Sequence, residues 1–306
     1  MRKENESTNS LKQLIKKFFK PFKDYFIGDV LARLDKVEQR VAIPCGKDEV
    51  LLRSMSGYLL CPAQDFTALS YLIETNGDPE MGTRLIIERV LRPGDVFVDI
   101  GAHLGIHILA AARAIQGLGN IIAFEPFESS CNLIRKTIRM NGFERITEIH
   151  QAAISNVTGE QQFYLAAGSA QHSLYSFEDT GPSGESVVVP SFKLDDVLAN
   201  KTRINLIKID VEGAETDVIE GATLTIERHP DIAIIVEFGP THLKRVGTKT
   251  TQEWLDVFTK LGLIYRVINE ATGALEKKTA EQLEHVDIVN LLFAREGSAV
   301  WAKVGI

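Results

Sequence analysis

Cysteine is scarce and unpatterned: Cys45, Cys61 and Cys131 are odd in number and no two form a CxxC pair. A disulfide framework and a zinc knuckle are thereby excluded, and a reducing cytoplasm is the expected compartment. Long apolar runs are missing too. No stretch reaches the roughly 20 uncharged apolar residues that a bilayer-spanning helix needs, and the basic N-terminal region continues into lysine-interrupted sequence where a secretory signal would carry its apolar centre. The expectation is a chain that neither spans a membrane nor leaves by a signal peptide. Positive charge is in deficit, with 34 basic against 41 acidic residues. Such a balance disfavours tracking a phosphate backbone, so no nucleic-acid partner is expected. What remains, 306 residues of which 44% are hydrophobic and 25% charged, suits a globular chain with a sizeable core.

The charge is unevenly spread. Residues 1–23 hold seven Lys/Arg and two Glu, so the body is more acidic than the total suggests. Leu11, Leu14, Ile15, Phe18, Phe19 and Phe22 recur at helical spacing with lysines between them, a basic amphipathic segment that Pro21 ends. Ile27, Val30, Leu34, Val37 and Val41 then advance in steps of three and four, the seam of a short coiled coil. Residues 1–47 therefore read as an N-terminal helical arm. Leu11–Phe22 is expected to touch the anionic inner face of a membrane peripherally, and residues 27–41 to form a homo-oligomer. Packing of both segments on the chain's own body accounts for the same pattern.

Residues 48–306 form the body. The run 49–61 alternates around a Ser-Gly turn and predicts a β-hairpin, followed by helices over Phe66–Glu74 and Arg84–Leu91. After Arg92-Pro93-Gly94-Asp95 the pattern alternates strand and helix: strands at Val96–Ile100, Asn120–Phe124, Ile146–Ile154, Leu206–Asp210 and Ile232–Phe238, with helices at Ile106–Ile115, Ser129–Asn141, Ala214–Arg228 and Thr251–Leu261. Two β-type runs, Gln161–Leu165 and Ser186–Val189, interrupt the series, and two strands near Ile264–Ile268 and Ile288–Ala294 close it. Continuously apolar strands separated by helices imply a doubly wound α/β fold with a mostly parallel sheet. Ligands of such folds sit beyond the carboxyl ends of the strands, here after Ile100, Phe124, Asp210 and Phe238.

The first of these ends reads Val98-Asp99-Ile100-Gly101-Ala102-His103-Leu104-Gly105. A dinucleotide site wants GxGxxG at this turn, and the order here is DxGxxxG, which argues against a pyrophosphate and hence against a NAD-dependent oxidoreductase. An acid at Asp99 suits a cationic ligand instead, such as the amino group of S-adenosylmethionine. Glu125 ends the second strand, where a carboxylate accepts hydrogen bonds from vicinal ribose hydroxyls. Asp210 ends the fourth, in Lys208-Ile209-Asp210-Val211-Glu212-Gly213-Ala214-Glu215. Glu212 and Glu215 stand at a helix start that favours acids anyway.

Taken in order, VFVDIGAHLGIH, IIAFEP, NLIRKTIRMNG, the Ala152-Ala153-Ile154-Ser155 turn, FKLDDVL, NLIKIDVEGAETDVIEGA and IIVEF resemble the FkbM-type family of S-adenosylmethionine-dependent methyltransferases, over roughly residues 80–240. The resemblance implies a class I methyltransferase fold, Rossmann-like with a doubly wound, mostly parallel seven-stranded sheet, and O-methylation of hydroxyls on sugars or natural products. It implies a cofactor crevice of Asp99, Gly101, Ala102, His103, Gly105, Glu125, Pro126, Ala153 and Asp210. His103 departs from the family pattern, which usually carries Asn there.

Methyl transfer from a sulfonium is an in-line displacement, so a group must also take the hydroxyl proton. Asp210, Glu237 at the end of the fifth strand and His242 just beyond it are the candidate catalytic residues, with His172 in the insert as a further base. Asp210 and Glu237 offer oxygens to a divalent metal as an alternative, but no dense ligand cluster is visible and no metal site is assigned. The insert over Gly168–Gly184 is expected to cover the acceptor. The acceptor itself reads as a sugar, a glycan or another small hydroxyl compound, with a polyketide-type natural product as the alternative.

Overall fold

The computed structural model describes residues 42–166, 172–176, 185–247 and 250–306. The helical arm up to residue 41 and most of the Gly168–Gly184 insert lie outside the described residues. The described chain opens as a three-stranded antiparallel sheet of β1 (Ala42–Pro44), β2 (Glu49–Ser54) and β3 (Gly57–Pro62). β2 and β3 are the expected hairpin. Ala42–Pro44, which falls within the predicted arm, instead pairs with β2 as an edge strand. Two helices follow, α1 (Phe66–Glu74) and α2 (Met81–Val90). Asp65 starts α1 by accepting the Ala68 N–H at 3.0 Å, satisfying one of the amides that a helix start leaves open.

The strand-helix alternation then builds the central sheet. Its first half is β4 (Val96–Ile100), α3 (Ile106–Ala114), β5 (Asn120–Phe124), α4 (Glu128–Asn141) and β6 (Thr147–His150). Parallel pairing joins β4 to β5 and β5 to β6. The single strand expected over Ile146–Ile154 is in fact two. The chain leaves the sheet after His150, and β7 (Ala153–Ile154) joins a second small sheet with β8 (Gly159–Tyr164) and β9 (Ser186–Phe192).

The second half runs through a short helix α5 (Leu194–Val197) to β10 (Leu206–Ile209), α6 (Glu215–Glu220), α7 (Thr223–Arg228) and β11 (Ala233–Phe238). The helix expected over Ala214–Arg228 is broken between α6 and α7. Gly221 lies at the break so close to the neighbouring backbone that a β-carbon there would stand 2.1 Å from the Ser155 carbonyl oxygen. The chain ends with α8 (Pro240–Val246), α9 (Thr251–Thr259), β12 (Leu263–Ile268), β13 (Leu275–Glu276), α10 (Ala280–Leu283), β14 (Val289–Arg295) and α11 (Ala299–Val304).

The central sheet has the order β13-β12-β14-β11-β10-β4-β5-β6. It has eight strands where seven are expected, because the two-residue β13 adds to the β12 edge. The seven longer strands are parallel except β14, which runs antiparallel to both β11 and β12. This is the Rossmann-like, mostly parallel α/β sheet that the strand-helix alternation predicts. Both of its faces are covered. Val98, Ile100, Ile207, Ile209, Ile234 and Val236 pack on one side with Trp254, Phe258 and Phe293; Phe97, Ile121, Leu206, Ile235 and Leu292 pack on the other with α2, α3 and α11. Among the described residues no helix is long and apolar enough to cross a membrane. Strand order reverses at β4, between β5 and β10, and the loops leaving these strands diverge there to open a crevice.

Candidate functional site

The crevice is a cavity of about 720 Å³ above the carboxyl ends of β4, β5, β10 and β11. Its one half is made by the two loops that follow β4 and β5. Glu125, only 6% exposed, accepts the His103 N–H at 2.8 Å on one carboxylate oxygen and the Phe127 N–H at 2.9 Å on the other. A carboxylate has about four acceptor positions, so two stay open after both loops are tied. Burial pushes this carboxyl up to about 7; the two amides oppose the shift, and the charges of Asp99 and Asp210 reinforce it.

Gly101 brings β4 against the end of β10. Its φ is +81°, and a β-carbon there would lie 1.8 Å from the Asp210 carbonyl oxygen, so no other residue fits. Gly101, Ala102, His103, Pro126 and Ala153 all line the cavity. Gly105 does not. It stands in the left-handed region as the residue before α3, and shapes the helix entry.

His172 also lines this half. Its ring meets Phe127 edge-on at 4.8 Å and Phe163 at 6.0 Å, and its Nδ1 accepts the Ala166 N–H at 3.0 Å. Burial pushes its pKa down, so the neutral ring serves as an aromatic wall. That placement against Phe127 and Phe163 gives the ring a packing role in the wall. Of the insert, Leu174 reaches the cavity, while Ser173 Oγ donates to the Glu212 carbonyl at 2.9 Å and fastens the insert to the loop after β10.

Beneath the other half lies a layer of charge on the α2 and α3 face of the sheet. Lys208, fully buried on β10, donates to Asp210 Oδ2 at 3.2 Å. Asp99 is its partner in register on β4. Burial opposes the ammonium charge, but Asp210, Glu80, Glu237 and Asp99 together hold Lys208 above the ordinary lysine range. Asp99 is 1% exposed and is absent from the cavity lining. The expected direct contact between Asp99 and the ligand's amino group is therefore not what its position provides: it sits under the floor, and the β10 carboxylate Asp210 faces the space above. Burial raises the Asp99 carboxyl to about 6, against the pull of His107 and Lys208.

Further residues converge here from distant parts of the chain. His107 Nε2 lies 3.3 Å from Glu80 Oε2. Burial works against both charges, yet each stabilises the other, holding the carboxyl low and the imidazole high. Asn290 Nδ2 donates to Glu80 at 2.8 Å and to Glu270 at 3.2 Å, and Glu270 in turn accepts from the Thr83 hydroxyl at 2.6 Å. Two carboxylates thus fix which way the Asn290 amide points. Its carbonyl oxygen is left buried with no donor among the described residues.

Glu237 stands directly across from Asn290 in the β11–β14 register. Burial and the neighbouring Asp210 push its carboxyl well above the usual range. His242, on α8, is 2% exposed. Its Nε2 lies 3.2 Å from Glu212 Oε2 and its Nδ1 3.9 Å from Glu237 Oε2. Glu212 takes a left-handed φ of +56°. Glu215, by contrast, is 2% exposed and accepts the Gly213 N–H at 2.8 Å, a turn-closing role.

Asp210 and Glu237 thus line one end of the cavity, with His242 buried behind it against Glu212 and Glu237 and not in the lining, and Gly101, Ala102, His103, Glu125, Pro126 and Ala153 line the other. Sequence reasoning misses Tyr71, Glu80, His107, Glu270 and Asn290. One signal was available: a lysine inside the apolar strand Leu206-Ile207-Lys208-Ile209 is an anomaly that only buried carboxylates explain.

A family profile described as "Methyltransferase FkbM domain" matches residues 99–265. Two curated proteins align with part of the chain: "Methyltransferase 1" of Beauveria bassiana (strain ARSEF 2860), 28% identical over 149 residues, 42% of this chain and 59% of its own length; and "31-O-demethyl-FK506 methyltransferase FkbM" of Streptomyces tacrolimicus, 29% identical over 161 residues, 43% of this chain and 60% of its own length. The chain thus spans about 60% of the curated relatives it matches. Among solved structures, methyltransferase FkbM of Methylobacillus flagellatus KT aligns at a TM-score of 0.44 and 14% identity, covering 74% of this chain and 53% of that one.

Proposed function

The chain belongs to the methyltransferase FkbM family, and from that premise we propose that it moves the methyl group of S-adenosylmethionine to a hydroxyl oxygen of a sugar, a glycan or a related polyhydroxyl acceptor. The observation that carries the reading is Glu125: a buried carboxylate tied to both crevice loops through His103 and Phe127, with two acceptor positions still open. A ribose diol needs that pair of acceptors. The close backbone approach at Gly101 supports the same occupant, because it leaves open a cradle that any side chain would fill. The wall of Phe163 and His172, the latter braced by Phe127, suits a flat aromatic base.

When bound, S-adenosylmethionine supplies an electrophilic methyl on a sulfonium. The protein's part is to hold the acceptor hydroxyl in line and to receive its proton. Asp210 is the proposed proton acceptor: it ends β10 on the cavity side, and Lys208 orients its carboxylate from below. Asp210 would receive the hydroxyl proton as the acceptor oxygen takes the methyl and S-adenosylhomocysteine is left behind. Glu237, Asn290 and Tyr71 surround the acceptor end with groups that bond hydroxyls. The polyketide alternative has one specific support, the 31-O-demethyl-FK506 activity for which the Streptomyces relative is named.

Calorimetry with S-adenosylhomocysteine and with NADH tests the cofactor: binding of the first and not the second is expected, and the reverse would overturn the reading. Transfer of a labelled methyl to a panel of sugars, glycans and macrolides then tests the acceptor class. Label appearing on macrolides alone would replace the glycan assignment.

A further inference from the structure

We propose that Glu212, Glu237 and His242 hold a divalent cation at the acceptor end of the cavity; this deepens the reading above and rests on it for the identity of the acceptor hydroxyl. One ligand atom from each of the three lies within 4.8 Å of the others, and the tightest pair, His242 Nε2 and Glu212 Oε2, is already at 3.2 Å. Around a cation with bonds of about 2.0–2.2 Å, neighbouring ligand atoms stand roughly 3.0–3.5 Å apart. His242 turns Nε2 to Glu212 and Nδ1 to Glu237, so a cation would bind one ring nitrogen and draw the carboxylates together around it.

A cluster of acids alone would not carry this. The independent observation is Asn290, 4% exposed and lining the same cavity. Glu80 and Glu270 hold its amide nitrogen, so its carbonyl oxygen is turned the other way, buried and without a donor among the described residues. Directly across the strand pair, Glu237 Oε2 is likewise buried without a hydrogen-bond donor. Two buried oxygens on residues paired across neighbouring strands, neither with a hydrogen-bond partner among the described residues, favour a positive centre, which would also hold Glu237 ionised against burial and Asp210. Lys208 donates to Asp210 and His107 pairs with Glu80, so neither hydrogen-bonds these two oxygens, although Lys208 does attract the Glu237 carboxylate through space.

The donor set, oxygens with one imidazole nitrogen, fits a first-row divalent cation such as Mn²⁺, which favours the oxygens, or Zn²⁺, which accepts both. Its use follows from the chemistry. An alcohol holds its proton far more tightly than a carboxylate does, and a cation that binds the acceptor oxygen makes that proton easier for Asp210 to take. It would also fix the hydroxyl in line with the methyl.

The test uses the full chain, freed of metal by chelator and titrated with Mn²⁺. One Mn²⁺ per chain is expected, with nitrogen coupling from a single imidazole in the electron spin-echo spectrum. Glu237→Gln and His242→Gln should each weaken binding at least about tenfold, the nitrogen coupling should vanish in His242→Gln, and the exposed-surface variant Glu160→Gln should bind like the parent. Absence of nitrogen coupling in the unmutated chain overturns the site whether or not the variants fold, as does unchanged affinity in both folded variants. S-Adenosylhomocysteine binding to the chelated chain is measured alongside. Its presence without Mn²⁺ binding refutes the cation alone, and Mn²⁺ binding without it refutes the methyl-donor reading alone.

Discussion

The two halves of the cavity are built on opposite plans. Around Glu125 the polar contacts are few and local: one carboxylate ties two loops whose residues lie within 24 positions of each other, from His103 to Phe127. At the other end, Glu80, His107, Lys208, Glu237, Glu270 and Asn290 arrive from six separate elements and loops and are satisfied mainly by one another. A local turn can be specified by a short motif. A network assembled across the fold depends on every member, and removal of one leaves the others buried with uncompensated charge.

Replacing the buried ammonium should expose that difference most strongly. Lys208→Met is expected to destabilise the fold by about 3–5 kcal/mol, since Asp99, Asp210, Glu80 and Glu237 lose their shared counter-charge. Adding Asp99→Asn should recover part of the loss. Urea unfolding of the single and double variants measures both, and equal stabilities would show that the network is not coupled as described.

On the cofactor side the corresponding break is steric. Gly101→Ala should cost about 2–4 kcal/mol, combining a left-handed φ with the clash against the Asp210 carbonyl. Gly105→Ala shares the left-handed φ, but its β-carbon would meet only side chains at 3.5 Å, so about 1–2 kcal/mol is expected. Similar losses at the two glycines, read from urea midpoints, would remove the close approach from the account.

That contrast also explains what could be read from the sequence. Val96–Ile100, Asn120–Phe124 and Ile232–Phe238 are legible because continuous apolar runs admit little else, and the Glu125 crevice is legible because its parts follow consecutive strands. Ile146–Ile154 reads as one strand because nothing in its composition marks the point at which the chain changes sheets. The break at Gly221 is invisible for a similar reason: its cause is the Ser155 backbone, 66 residues away in sequence. Glu80, Glu270 and Asn290 sit in unremarkable surroundings, and only the fold makes them neighbours. Lys208 was the one anomaly pointing toward them.

A smaller effect is carried by pH. In the folded chain the Glu125 carboxyl stands at about 7, against an ordinary value of 4.5. A group raised on folding binds more protons in the folded than in the unfolded state between those values, so its contribution to stability is fully present below about 4.5 and is lost as pH rises through about 7. Glu125→Gln should flatten this part of the stability profile measured by urea unfolding at a series of pH values. Ribose hydroxyls donate to the ionised carboxylate, so cofactor affinity should run the other way and strengthen as pH rises through the same window. A falling affinity would mean that the protonated form binds.

The central claim is that Glu125 receives the ribose of S-adenosylmethionine. Titration of S-adenosylhomocysteine into Glu125→Ala by calorimetry, beside the parent chain and with circular dichroism to show that both are folded, tests it most directly. The account predicts affinity weaker by about 1–3 kcal/mol, the value of a lost charge-assisted hydrogen-bonding group. Unchanged affinity in a folded variant would contradict it.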